Sequence, residues 1–71
     1  MKLPRDVSGG EAVRALRRLG FAVTRQDGSH IRMSKGAVRV TVPNHRTILP
    51  KTLQSVLRQA GVSVEEFLGA L

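Results

Sequence analysis

Hydrophobic residues recur along this chain with two different periods, which divide it into helices and strands. After Ser8, apolar residues return every three or four positions, the period of one face of an α-helix. These apolar positions are Ala12, Val13, Leu16 and Leu19. Ser8 and Glu11 have the spacing of a capping box that starts a helix, and Gly20 is typical of a residue that ends one. We therefore predict a first helix from Ser8 to about Leu19.

The middle of the chain changes to a period of two, which is the period of a β-strand. Three strands are predicted, over Phe21–Gln26, Ser29–Ser34 and Val38–Val42. Asp27-Gly28 is typical of a two-residue hairpin turn, and Lys35-Gly36 marks a second turn. Pro43 ends the third strand because it has no N–H to donate to a neighbouring strand.

Pairing the strands through these turns sorts their side chains onto two faces, since cross-strand partners share a face. In this register Arg25 lies opposite His30. One face is mostly apolar and comprises Ala22, Thr24, Ile31, Met33, Val38, Val40 and Val42. The other face is polar and comprises Arg25, His30, Arg32, Arg39 and Thr41. Phe21 and Val23 fall on the polar side, which predicts a bulge or partial cover of that face.

The last third of the chain returns to the helical period. Pro50 suits the first turn of a helix, and Gly61 suits its end. The apolar stripe of this helix is Leu53, Val56, Leu57 and Ala60. Ser63 and Glu66 have the spacing of a second capping box, which predicts a short final helix. Its predicted apolar contacts are Phe67, Leu68 and Leu71.

The order of these elements predicts a fold class. One domain over residues 1–71 is expected, with the order α-β-β-β-α and a short C-terminal helix. An antiparallel three-stranded sheet with helices on its apolar face is an α+β two-layer sandwich. This is also the element order of the double-stranded-RNA-binding fold, although order alone is a weak guide to function.

Composition restricts the classes of function. The chain has 71 residues and no cysteine, so a disulfide or a cysteine-based metal site is excluded, which fits a reducing cytoplasm. Its 12 Lys and Arg against 5 Asp and Glu give a net charge of +7. This excess favours a polyanionic partner, nucleic acid first and an acidic protein second. The alternative is a basic surface that only keeps the protein soluble. The sequence contains no apolar run near 18 residues and no hydrophobic region typical of a signal peptide, so no membrane association is expected.

Aromatic residues make up only 3% of the chain, and both are Phe. The chain therefore has few aromatic side chains on which bases could stack. Phosphate contacts by Arg and Lys are expected to dominate RNA binding.

The two histidines, His30 and His45, are the candidates for acid–base chemistry, because histidine can both accept and donate a proton near neutral pH. The histidines and carboxylates lack metal-ligand spacing, and we predict neither a metal nor another cofactor. Ser29 is next to His30 on a strand, so the two side chains point to opposite faces and do not form a nucleophile–base pair.

RNA carries its own nucleophile in the 2′-hydroxyl group, so a histidine can cleave it as a general acid or base. His30 is the candidate for this role. The predicted phosphate-binding residues around it are Arg25, Arg32 and Arg39, whose guanidinium groups suit phosphate. A surface histidine in a basic patch without catalytic function remains the alternative.

Other residues near the polar face have two interpretations each. His45 is either a second proton-transfer group or phosphate contact, or a loop residue without a special role. Gly28 is a turn residue with positive φ, and its missing side chain would also let RNA approach His30. The helix face with Arg14, Arg17 and Arg18 either holds RNA or is only solvated.

Short motifs follow one another in a specific order over nearly the whole chain. They are Leu3-Pro4, Ser8-Gly9, Leu19-Gly20-Phe21, Gln26-Asp27-Gly28-Ser29-His30, Thr41-Val42-Pro43-Asn44-His45, Thr52-Leu53-Gln54-Ser55-Val56-Leu57-Arg58-Gln59-Ala60-Gly61 and Glu65-Glu66-Phe67. In this order and spacing the chain resembles the HicA toxin family of toxin–antitoxin systems. It departs from many members at Lys51, which precedes Thr52 where they have a glycine.

The resemblance implies a double-stranded-RNA-binding-like fold and a metal-independent endoribonuclease that cleaves mRNA. The catalytic histidine of the family corresponds to His30 and the preceding glycine to Gly28, and its proline-x-histidine pattern corresponds to Pro43 and His45. The resemblance also implies a HicB-type antitoxin that covers the active site. Two other functions stay open: an RNA-binding module that does not cut, and a basic interaction protein with an acidic partner.

Overall fold

The computed structural model describes residues 3–71. Two helices pack on one face of an antiparallel three-stranded sheet, and a third helix packs against these two helices. The elements are α1 (Gly9–Arg18), β1 (Ala22–Asp27), β2 (His30–Lys35), β3 (Val38–Pro43), α2 (Pro50–Ala60) and α3 (Val64–Ala70). The strand order is β1-β2-β3. The predicted α+β class and element order are confirmed, and this order is that of the double-stranded-RNA-binding fold with a short helix added.

Both predicted capping boxes are present. The Ser8 hydroxyl accepts the Glu11 N–H at 3.1 Å, and the Glu11 carboxylate accepts the Ser8 N–H at 3.0 Å. Ser63 and Glu66 repeat these two bonds at the start of α3. The backbone hydrogen bond from the capping serine stabilises the charged form of each carboxylate, which lowers the pKa of Glu11 and of Glu66. These bonds are local in sequence, which is why spacing alone predicted them.

The core lies between the sheet and the helices. Its sheet side consists of Ile31, Met33, Val40 and Val42, and its helix side includes Leu16, Leu53, Val56, Leu57, Ala60 and Phe67. The predicted stripe of α2 is therefore confirmed, and Gly61 ends this helix with φ +68°. Lys51 lies exposed in its first turn behind Pro50. At the end of α3 the prediction was wrong, because Ala70 is buried and Leu71 is exposed.

The predicted hairpin turns are each wrong by one residue. Asp27 pairs with His30 and Lys35 with Val38, so the turn residues are Gly28-Ser29 and Gly36-Ala37. The physical reason is the backbone conformation. The predicted turns require positive φ at Asp27 or Lys35, whereas the observed turns place it on glycine, with φ +57° at Gly28 and +59° at Gly36.

This change moves the partner of Arg25 and the partners along β3 by two positions and so leaves most side chains on their predicted face. Arg25 lies opposite Arg32 instead of His30. The predicted bulge is confirmed between Val23 and Arg25. It shifts the strand by one residue, so Ala22, opposite Ser34, leaves the predicted apolar face and is exposed.

Two more members of the predicted apolar face are not buried. Thr24 lies at the bulge and is exposed, with its hydroxyl donating to the Arg32 carbonyl at 3.2 Å. Val38 pairs with the last residue of β2, at the end of the sheet, and is 40% exposed. The bulge thus takes Thr24 out of the apolar face, and the helices leave the Val38 end of that face open.

One of the three arginines of α1 has a structural role. The Arg18 guanidinium Nη1 donates to the Ala70 carbonyl at 2.7 Å and so links α1 to the C-terminal end of α3. A cation there is favourable because the end of a helix exposes unpaired carbonyl groups. Arg14 and Arg17 are exposed. Within residues 3–71, the helices are too short or too polar to cross a membrane.

Candidate functional site

The face of the sheet opposite the helices, here called the outer face, carries most of the predicted site residues. It comprises Arg25 and Asp27 of β1, His30, Arg32 and Ser34 of β2, and Arg39, Thr41 and Pro43 of β3. His30 lies at one end of the central strand, between Asp27 and Pro43 on the neighbouring strands. The predicted members of the polar face are thus on one surface, although their neighbours differ from the prediction.

Asp27 is the functional candidate that the sequence analysis missed. It was predicted as a turn residue, but it ends β1 as the direct partner of His30. Its carboxylate accepts from the Nε of Arg25 at 2.8 Å and from the Nε of Arg32 at 3.2 Å. With the turn predicted at Gly28-Ser29, the alternation of side chains along β1 would have placed Asp27 on the same face as Arg25 and His30.

This carboxylate explains how Arg25 and Arg32 can lie directly opposite each other. Like charges in a cross-strand pair repel, and a carboxylate bound to both reduces the repulsion. The bonds use only the Nε atoms, and each guanidinium group has two further nitrogens that can bind an anion. The three side chains are 39% to 72% exposed, so the cluster adds little stability and is accessible to a ligand.

Arg39 lies further from His30 than predicted. It pairs with Ser34, whereas His30 pairs with Pro43 at the other end of the ladder. A strand advances by about 3.3 Å per residue, so Ser34 and Arg39 lie about 13 Å along the sheet from His30. The structure therefore brings Arg25 and Arg32 near His30 and places Arg39 further away from it.

The loop that carries His45 is attached beside the start of β2. The Asn44 N–H donates to the Ser29 carbonyl at 2.6 Å, and the His45 carbonyl accepts the Gly9 N–H at 2.8 Å. A Cβ on Gly9 would lie 2.6 Å from the Pro43 carbonyl oxygen, so only glycine permits this approach of α1 to the loop. The two histidine-bearing segments are thus held together by backbone hydrogen bonds.

Gly28 fits its predicted turn role. Its φ of +57° lies in the left-handed region that glycine adopts readily, and a Cβ there would meet no atom within 4 Å. The turn therefore requires glycine for its backbone conformation, and the space beside it is open.

The candidate side chains are accessible to a ligand. His30, Arg32, Arg39 and His45 are exposed, and none of the polar or charged residues within 3–71 is buried. Over the same residues, no three His, Asp or Glu side chains lie close enough together to share a metal ion.

A known protein family matches the chain over most of its length. The family described as "HicA toxin of bacterial toxin-antitoxin" matches residues 9–62, which include β1 to β3, α1, α2 and every candidate site residue named above. No curated protein matches the chain at a significant level of similarity.

Proposed function

The chain belongs to the HicA family of toxins of bacterial toxin–antitoxin systems, and we propose that it is a metal-independent endoribonuclease that cleaves mRNA in the cytoplasm. His30 is the proposed catalytic residue. The observation that carries the proposal is the position of His30, exposed on the outer face beside the cluster formed by Asp27, Arg25 and Arg32. A histidine next to accessible guanidinium groups can combine proton transfer with phosphate binding.

The proposed reaction is an attack of the RNA 2′-oxygen on the adjacent phosphorus. His30 accepts the proton of the 2′-hydroxyl group while the bond from the 2′-oxygen to phosphorus forms. The bond to the 5′-oxygen breaks, and that oxygen takes up a proton. The products are a 2′,3′-cyclic phosphate and a free 5′-hydroxyl group, so the balance needs no other reactant.

The outer face offers groups for the other steps. Negative charge grows on the phosphate oxygens in the transition state, and the free guanidinium nitrogens of Arg25 and Arg32 can stabilise it. His45 is the candidate donor to the 5′-oxygen, because the Asn44–Ser29 hydrogen bond holds its loop next to the start of β2. The open space beside Gly28 is the proposed path by which RNA reaches His30.

The experiment is RNA cleavage by the purified protein and by His30→Ala. We expect the variant to lose a factor on the order of 10² to 10⁴ in rate and to keep its melting temperature and RNA affinity, since His30 is exposed. A chelator is expected to leave wild-type cleavage unchanged. Arg58→Ala, a charge change on an exposed position of α2, is the control for purification and handling.

Equal cleavage by His30→Ala and wild type would show that the mechanism is wrong, and strong inhibition by the chelator would show that a metal is required. A band that shifts on a gel but is not shortened would favour the RNA-binding module instead.

The proposed protein partner is a HicB-type antitoxin that covers the outer face. The net charge of +7 favours an acidic contact surface on that partner. The antitoxin and RNA are therefore expected to compete, and Arg32→Glu should weaken both complexes. Antitoxin binding without any RNA affinity at low salt would instead favour a pure interaction protein.

A further inference from the structure

A hollow of about 300 Å³ lies on the outer face and is here called the sheet-face hollow. Its polar lining residues are Thr24, Arg32, Ser34, Arg39 and Thr41. Met33 and Val40 also border it, although they are a cross-strand pair only 1% and 3% exposed, with side chains in the core. The floor of the hollow is therefore the backbone of this central pair, and the polar side chains form its walls.

The Arg39 end of the sheet-face hollow is separate from the surroundings of His30. The hollow begins at the pair Arg32 and Thr41, about 7 Å along the sheet from the pair formed by His30 and Pro43, and extends to Ser34 and Arg39, about 13 Å from that pair. Arg32 lies between the two and borders the hollow while also bonding to Asp27. A group bound at Arg39 is therefore not the group held at His30, but one strand of nucleic acid can reach both.

The lining of the hollow suits a phosphate. Guanidinium groups bind phosphate oxygens through paired N–H donors, and Ser and Thr hydroxyls are common further donors to nucleic-acid backbones. Among the described residues, those that line the hollow include no carboxylate that would repel an anion. Lining by two arginines and three hydroxyl residues thus favours an anionic ligand.

The hollow offers nothing for base stacking. The two aromatic residues of the sequence, Phe21 and Phe67, are 4% and 0% exposed and belong to the core. Proteins that hold single-stranded bases usually stack them on exposed aromatic rings. Contacts in the hollow are therefore directed to the backbone of a nucleic acid and should not depend on base identity.

We propose that the sheet-face hollow is a second phosphate subsite, which holds the backbone of a nucleotide flanking the cleaved bond. The inference rests on the proposed function for the position of the cleaved bond at His30. Arg39 is the principal residue of this subsite, and RNA crosses the outer face from His30 towards Arg39. The role of Arg39 is thus to bind substrate away from the reacting phosphate.

The test measures binding of single-stranded oligonucleotides with 2′-fluoro sugars, which lack the attacking hydroxyl group. A dinucleotide with one phosphate is compared with an octanucleotide over a range of salt concentrations. For the octanucleotide, we expect Arg39→Ala to lose about tenfold in affinity and the salt slope to fall by about 0.7 for one phosphate contact. The dinucleotide should bind wild type and Arg39→Ala equally, and these results should be the same for different base sequences.

Arg58→Ala is the matched control, since it removes the same charge from α2 on the other side of the sheet. It is expected to leave the salt dependence of binding unchanged for both the dinucleotide and the octanucleotide. Arg39→Lys keeps the charge without the planar fork, and it should retain the salt slope but lose part of the affinity. It also serves as the test variant if Arg39→Ala does not fold.

If Arg39→Ala and Arg58→Ala lose the same affinity for the octanucleotide, the subsite proposal is wrong, because only the net charge of the protein would then matter. An equal loss for the dinucleotide overturns it too, since Arg39 would then act at the same phosphate as His30. If Arg39→Ala weakens binding of poly-glutamate and not of the octanucleotide, the hollow holds an acidic protein. If the expected shifts appear in a protein that does not cut RNA, the subsite stands and only the nuclease proposal fails.

Discussion

The two faces of β2 differ strongly in exposure and in residue type. Ile31 and Met33 point to the helices and are 8% and 1% exposed, whereas His30 and Arg32 alternate with them and are exposed on the outer face. One strand thus supplies both the centre of the core and the centre of the candidate site. From this difference we expect that stability and RNA binding can be changed separately, by substituting residues that are adjacent in sequence.

The largest expected effect is from Met33→Ala. It removes a core side chain under the middle of the sheet and should lower the free energy of unfolding by about 2–5 kcal/mol. Arg32→Ala, one residue away, removes an exposed ion pair and should cost about 0–1 kcal/mol. Urea unfolding of both variants measures the contrast.

Binding of an uncleavable RNA oligonucleotide should show the reverse order. Arg32→Ala is expected to weaken binding, and Met33→Leu, which keeps the volume of the side chain, should leave it unchanged. Comparable losses of stability in Met33→Ala and Arg32→Ala would contradict the separation of the two faces.

The second prediction concerns the junction between the helices and the outer face. A Cβ on Gly9 would lie 2.6 Å from the Pro43 carbonyl oxygen and 2.8 Å from the Asn44 Cα, and both are backbone atoms. Gly9→Ala should therefore displace the loop that carries His45 and cost about 1–3 kcal/mol. Thermal unfolding measures the stability, and RNA cleavage below the melting temperature measures the effect on the site.

Gly10→Ala is a control from the same turn of α1. A Cβ there meets only the Arg14 Nη1 at 3.8 Å and the Ser8 Oγ at 3.9 Å, which are ordinary contacts. Alanine should therefore stabilise the helix by up to about 1 kcal/mol. Equal stabilities of Gly9→Ala and Gly10→Ala would show that the loop moves aside without cost.

The sequence was sufficient for features whose causes are local. The capping boxes, the end of α2 at Gly61 and its buried stripe follow from spacings of a few residues. The bulge was predictable because Val23 fell on the wrong face without one. The exact position of each turn was not predictable, because it depends on which residue takes positive φ. In the sequence, a turn at Asp27-Gly28 gave an equally regular strand pairing.

Features that join distant segments were beyond the sequence alone. The Arg18–Ala70 bond links residues 52 positions apart. The cluster around Asp27 depends on the corrected register, and so does the separation of Arg39 from His30. Residue types thus predicted which side chains share the outer face, but not how they are grouped on it.

The third prediction tests that grouping. The Asp27 carboxylate competes with phosphate for the guanidinium groups of Arg25 and Arg32. Asp27→Asn removes this negative charge. RNA affinity at low salt should rise about fivefold, the effect of roughly 1 kcal/mol for charges 4 Å apart in water. Stability should change by less than about 1 kcal/mol, because the pairs are exposed.

Glu65→Gln makes the same charge change at an exposed position of α3, on the helix side of the molecule. It should raise RNA affinity much less than Asp27→Asn, because screening weakens a distant charge. A loss of affinity in Asp27→Asn would show that the carboxylate mainly aligns the arginines for binding.

The smallest expected effect concerns the capping boxes at the starts of α1 and α3. The pKa values of Glu11 and Glu66 are lowered from the usual 4.5 by hydrogen bonds from the capping serines. Because the pKa is lower in the folded protein, the stabilisation is present above the unfolded value and is lost as the pH falls through the folded one. The free energy of unfolding should therefore decrease on acidification below about pH 4.5.

Glu11→Gln and Glu66→Gln should flatten this acid dependence, since glutamine keeps the capping bond but does not titrate. Urea unfolding at a series of acidic pH values measures it, with Glu65→Gln as the variant that leaves both boxes in place. If the Gln variants lose stability with acid as steeply as wild type, the dependence has another origin. Because neither box touches the outer face, RNA affinity at neutral pH should change no more in these variants than in Glu65→Gln, and a larger change would link the helix side to the candidate site.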